Sequence, residues 1–174
     1  MKINTLKGDK MAIRSIRTIG DPILEKKTKP VKEMTDRIKD LISDMFETMY
    51  EANGVGLAAP QVGILKQLFV VEIGDGKQYV AINPEITTLG EEMQTGEEGC
   101  LSVPGKEGVV TRPMRILMKA LNQNMEEYEL EASGFLARAF MHENDHLQGI
   151  LYTEKVEGEL EDVVYEELDE EEQI

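Results

Sequence analysis

Tryptophan is absent from this 174-residue chain, and only four Phe and five Tyr are present. A hydrophobic core must therefore be filled by Met, Ile, Leu and Val. A single cysteine, Cys100, excludes an internal disulfide and points to a reducing compartment, so a cytoplasmic location is expected. The opening "MKINTLKGDK" has no apolar stretch of the kind a secretory signal requires. No apolar run approaches the roughly 18 residues of a membrane span, so no membrane partner is expected. Basic charge is also scarce: 19 Lys and Arg face 34 Asp and Glu, for a net charge of −15. Nothing resembles the basic stripe that neutralises phosphates, so direct nucleic-acid binding is not expected.

The acidity is unevenly placed. Residues 157–174, "EGELEDVVYEELDEEEQI", hold ten acidic residues and no basic one, which leaves a balance of only −5 for the rest. This segment reads as a solvated acidic helix or tail. Residues 1–10 read as an N-terminal extension or tag, because Met11 opens a second plausible start, "MAIRSIRTIGDPIL". The expected organisation is thus an extension (1–10), a catalytic domain (11–156) and the acidic segment (157–174).

Apolar periodicity places an amphipathic helix over 35–53. Ile38, Leu41, Ile42, Met45, Phe46 and Met49 recur at helical spacing, Thr35 can cap the start, and Asn53-Gly54 can end it. "QLFVVEI" and "QYVAIN" around "GDGK" read as one β-hairpin, and "ILMKALN" and "EEYELEA" around "QNM" as a second. Ser133 is placed to cap a last helix from about Phe135 to Leu147, with Gly149 to end it. The expected fold class is α+β: one domain with antiparallel or mixed strands packed around the C-terminal-half helix, plus an N-terminal amphipathic helix.

Histidine is nearly as scarce as cysteine. Both histidines, His142 and His146, stand four residues apart in "MHENDHLQGILY". On a helix that spacing puts two imidazoles on one face, close enough to share a metal ion. Glu143 lies beside them as a candidate general base, the logic of an HExxH helix. A catalytic site needs a third ligand and one open position. The HExxHxxGxxH pattern would supply it at residue 152, but that residue is Tyr. A glutamate of the acidic segment is too solvated to close a site. Cys100, in the turn-like "EEGCLSVPG", is the remaining candidate. Residue types alone favour zinc. A further stretch, "NGVGLAAPQVG", is built of small residues that allow close approach of a ligand, or a tight packing corner.

Taken in order, Gly54-Val55-Gly56-Leu57-Ala58-Ala59-Pro60-Gln61, Glu98-Gly99-Cys100-Leu101-Ser102 and His142-Glu143-Asn144-Asp145-His146 resemble the GxGLAAxQ, EGCLS and HExDH motifs of the peptide deformylase family. The resemblance spans roughly Met11 to Tyr152 and departs at Met141, where a Gln often stands. It implies a metal-dependent hydrolase that removes the formyl group from the N-terminal formylmethionine of newly made polypeptides. It implies Cys100, His142 and His146 as ligands of one divalent ion per chain, Fe2+ physiologically, with Zn2+, Ni2+ or Co2+ as other occupants. Glu143 would move the proton, while the Leu101 N–H and the Gln61 amide would stabilise the oxyanion. Gly56 would let the substrate backbone approach. Val55, Phe135 and Ala139 are candidates for the methionine pocket, or plain core. Expected partners are N-formylmethionyl nascent peptides, with transient proximity to the ribosome and a monomeric enzyme. Arg112 is expected to brace the cysteine loop through Glu98. Two other readings stay open: a zinc endopeptidase, and a metal-stabilised binding module without catalysis.

Overall fold

The apolar stripe of 35–53 forms the first helix of the computed structural model, which describes residues 12–164. This helix, α1, spans Asp36–Glu51. The Thr35 hydroxyl accepts from Ile38 N at 3.2 Å, and Asn53 turns left-handed (φ 55°) to end it. Its six periodic apolar side chains are all buried. At about 1.5–3 kcal/mol each, they contribute on the order of 10 kcal/mol before the entropy of ordering is subtracted.

Among the described residues, six strands form one antiparallel sheet: β1 (Gly56–Ala58), β2 (Leu68–Val71), β3 (Tyr79–Cys100), β4 (Val103–Leu121), β5 (Glu127–Ser133) and β6 (Glu157–Asp162). The first five follow one another in order, and β6 pairs with β4. β2 is buried on both faces, which explains its unbroken run "LFVV". Leu68 and Val70 join the α1 core with Leu57, Val80 and Ile82. Phe69 and Val71 turn to the opposite face, where they meet Phe140 and Met141 of the second helix, α2 (Gly134–Leu147). The sheet therefore separates two apolar cores, one under each helix. Among the described residues, no helix is long and apolar enough to cross a membrane.

Both expected hairpins are present, with Val71 facing Tyr79 across the first and Leu121 facing Glu127 across the second. Between them the sequence reading left a gap, which β3 and β4 fill as one long hairpin. Its tip is the tight turn Leu101-Ser102, with Cys100 opposite Val103. Period-two alternation is masked there because much of its length is solvated, and register shifts at Ile82/Glu85 and Leu89/Met93 break the pattern.

Two local expectations are corrected. Ser133 precedes α2 in extended conformation, but its side chain makes no capping bond, and Gly134 already belongs to the helix. The start of the acidic segment is strand rather than helix: Glu157–Asp162 is β6, paired with Lys106, Glu107 and Val109 of β4. Thr111 donates to Glu157 at 2.6 Å, and Lys106 pairs with Asp162. Exposed throughout, β6 gains its ladder from β4 rather than from apolar burial, so no apolar signal marks it. Residues 1–11, with the expected extension, and 165–174 of the acidic segment lie outside the described residues.

Candidate metal centre

Cys100 ends β3 at the hairpin tip, and the two histidines share one face of α2. The fold brings one ligand atom from each of Cys100, His142 and His146 to within 4.8 Å of one another. Cys100 Sγ lies 3.3 Å from His146 Nε2. The imidazole centroids are 5.2 Å apart, as the four-residue spacing requires.

His142 is oriented from behind. Its Nδ1 donates to Glu98 Oε1 at 2.8 Å, which leaves Nε2 free for the site. Tyr152, at the position where a third histidine was sought, instead stacks on the His142 ring at 5.7 Å. Burial pushes the Glu98 carboxyl up, but hydrogen bonds from Arg112 and His142 outweigh it and hold the pKa well below the usual carboxylate range. Burial lowers the pKa of His142, yet the neighbouring Cys100 and Glu98 raise it to about 10. Both neighbours draw positive charge to this ring, which a divalent cation at Nε2 would supply in place of the proton. Burial, with His142 as neighbour, keeps His146 well below its ordinary pKa and therefore neutral, the form that binds metals.

Glu143 stands beside the trio, with Oε1 3.9 Å from His142 Nε2. Burial raises its pKa to about 7. Among the described residues, its Oε2 is buried without a hydrogen-bond partner, as is His146 Nδ1. A sulfur and two imidazole nitrogens, beside a carboxylate oxygen that lacks a partner, make a donor set that fits a divalent cation with room for water. Gly56 was expected to admit the substrate backbone. It also makes room for Glu143, since a Cβ at residue 56 would lie 2.7 Å from Glu143 Oε1.

Gln61 reaches the same place from a short 3-10 helix, Ala59–Val62, that follows β1. Its Oε1 accepts from Ala58 N at 2.9 Å, and its Nε2 donates to Ser102 Oγ at 3.0 Å and lies 3.5 Å from Cys100 Sγ. These bonds fix the amide at the edge of a cleft of about 580 Å³. Leu101, Val55, Gly56, Phe135 and Ala139 border that cleft too, so all the sequence-derived candidates for binding and oxyanion stabilisation meet there. Phe135 and Ala139 were each read as pocket lining or plain core. At 53% exposure Phe135 stands at the cleft, while Ala139, at 7%, is buried.

The expected Arg112–Glu98 brace is present: Nε and Nη2 contact the two carboxylate oxygens at 2.6 and 2.8 Å. Arg112 Nη1 also donates to Asp145 at 3.0 Å, so Asp145 supports the site from α2. The sequence reading missed two residues. Glu98 was assigned only to Arg112, not to His142. Arg138 was not singled out at all, although a cation four residues before His142 on a buried helix face is a legible signal.

A family model described as polypeptide deformylase matches residues 13–161. The chain belongs to the polypeptide deformylase family. It is a metal-dependent hydrolase that removes the N-formyl group from newly made polypeptides. A peptide deformylase of Agathobacter rectalis is 58% identical over 160 residues, covering 92% of this chain and all of that protein. The crystal structure of peptide deformylase from Thermotoga maritima superposes with a TM-score of 0.81 at 44% identity, covering 84% of this chain and 99% of that one. The deformylase of Synechococcus elongatus, solved in complex with actinonin, gives 0.79 at 37% identity, covering 91% of this chain and 85% of that one. Relative to a generic HExxH helix, this site adds a candidate sulfur donor from a strand hairpin and a carboxamide held beside it.

Proposed function

We propose that Cys100, His142 and His146 hold the one divalent ion of this deformylase and that Glu143 moves the proton of formyl hydrolysis. The observation that carries this reading is the convergence of the three ligand atoms within 4.8 Å, with the unpartnered Glu143 Oε2 beside them. Fe2+ is the proposed physiological ion, with Zn2+, Ni2+ or Co2+ as other occupants. When bound, the ion supplies Lewis acidity that brings the pKa of water toward neutrality. Glu143 accepts the water proton and returns it to the leaving amine, a role suited to a carboxyl whose pKa burial has raised toward the working pH. The Gln61 amide and the Leu101 N–H donate to the oxygen of the formyl group as it gains charge.

The substrate enters as an extended chain. Among the described residues, β1 pairs only with β2, and the distal half of β3 pairs only with β4. Both strands border the cleft, at Gly56 and at Glu97 to Gly99. A peptide laid between them can hydrogen-bond to backbone, as strand addition requires. Val55, Phe135 and Ala139 then surround the methionine side chain. The catalytic unit comprises residues 11–156. The enzyme acts as a monomer in the cytoplasm, close to the ribosomes that supply its nascent peptide substrates.

The test is formate release from a formylmethionyl dipeptide by protein purified without oxygen and loaded with Fe2+ or Zn2+, run beside Cys100→Ala. The parent should release formate, and the variant should lose both ion and activity. A Cys100→Ala protein that keeps its metal and cleaves internal peptide bonds would instead point to an endopeptidase.

Gln61→Ala should lower kcat by about 100- to 1,000-fold, the usual effect of losing one oxyanion donor, with little change in KM. Steady-state kinetics on the same dipeptide decide it. A raised KM at unchanged kcat would assign Gln61 to binding alone.

A further inference from the structure

Three buried polar side chains follow one another along a single face of α2: Arg138, His142 and His146, each four residues after the last. Arg138 is not among the proposed ligands, yet it is only 5% exposed, a costly position for a cation unless it is well paired. Its Nη1 donates to Glu98 Oε2 at 2.6 Å and to the Val110 carbonyl at 3.0 Å. Longer contacts reach the carbonyls of Gly96 (3.5 Å) and Gln94 (3.4 Å). These acceptors belong to β3 and β4, and Cys100 lies two residues beyond Glu98 on β3.

Arg112 does not duplicate this contact. It sits on β4, opposite Gln94 of β3, so its grip on Glu98 runs from strand to strand. It reaches α2 only at Asp145, whose carboxylate also pairs with Lys155 at 2.9 Å. Arg138 joins helix to hairpin directly, through short bonds in a buried place.

We propose that Arg138 is a positioning residue: by clamping Glu98 and the β3–β4 backbone to α2, it sets Cys100 at ligand distance from the histidine pair and holds the His142 ring in its orientation. This rests on the Cys100–His142–His146 reading of the metal site. Arg112 keeps Glu98 paired when Arg138 is replaced, so the variant is expected to fold.

The test uses full-length protein loaded with Co2+, whose absorption reports ligand geometry. Competition with a chelator measures affinity for the parent, Arg138→Met and Arg138→Lys. Arg138→Met should bind Co2+ roughly 10- to 100-fold more weakly, the usual cost of losing a residue that orients a ligand, and its spectrum should shift. Arg138→Lys keeps the charge and a donor toward Glu98 and should recover part of both. Thermal unfolding, recorded in parallel, separates loss of fold from loss of geometry. A folded Arg138→Met protein with Co2+ affinity within twofold of the parent and an unchanged spectrum would overturn the proposal. If Arg138→Met does not fold, Arg138→Gln, which lacks the charge, decides by the same criterion. A parent chain that binds no Co2+ would refute the metal-site reading itself, and the role of Arg138 with it.

Discussion

Glu143→Gln should lower kcat for formate release by about 100- to 10,000-fold while the protein keeps its metal ion. The carboxamide has the shape of the carboxylate but cannot take a proton. Glu143 is not one of the three converging ligand residues, so the ion should stay. Burial already disfavours the charged carboxylate here, as its raised pKa shows, so a neutral amide of the same size should not unfold the chain. The measurement is single-substrate kinetics together with metal content and thermal unfolding of the same preparation. A variant that loses its metal would make Glu143 part of the ion's coordination. One with full activity would remove it from proton transfer.

Glu98→Ala should destabilise the fold by about 3–5 kcal/mol, because it strands buried charge. Glu98 accepts from Arg112, Arg138 and His142, and its side chain is only 4% exposed. Its removal leaves two buried guanidinium groups without their shared anion. For a chain of this size each kcal/mol is worth about 2–4 °C, so Tm should fall by roughly 6–20 °C. The effect has a pH signature. With the Glu98 pKa held below its ordinary range, the stabilisation is fully present above about pH 4.3 and is lost as pH falls through the depressed value. The Tm gap between the parent and Glu98→Ala should therefore narrow in acid. A constant gap down to pH 3 would mean that packing, not charge, holds this residue. Metal affinity should fall as well, since His142 loses the partner that fixes its ring.

Some of this architecture was legible residue by residue. The His142–His146 spacing has one meaning on a helix, and the apolar stripe of α1 has one meaning at period 3.6. The β3–β4 hairpin was not legible, because half-solvated strands interrupted by register shifts carry no alternation to read. β6 was missed for a related reason: "EGELED" looks like solvated helix or coil until an unpaired strand edge is available beside it. Phe135 could be read as pocket or as core, because the helix it belongs to is mostly buried. Its own first turn overhangs the cleft.

By itself the sequence determined which atoms are available for chemistry: one thiol, two imidazoles on a common helical face and a carboxyl between them. Three ordered motifs also named the family that uses such a set. Local periodicity is enough for that, since neighbours along a helix are fixed by backbone geometry alone. Only the tertiary structure decided that Cys100 meets His146 across 46 residues of chain and that Gln61 lies against Cys100 across 39. It alone decided that Glu98 is shared by two arginines and His142. Such contacts depend on how a hairpin tip packs against a helix. That packing is set by burial summed over the whole sheet, which no short window of sequence contains.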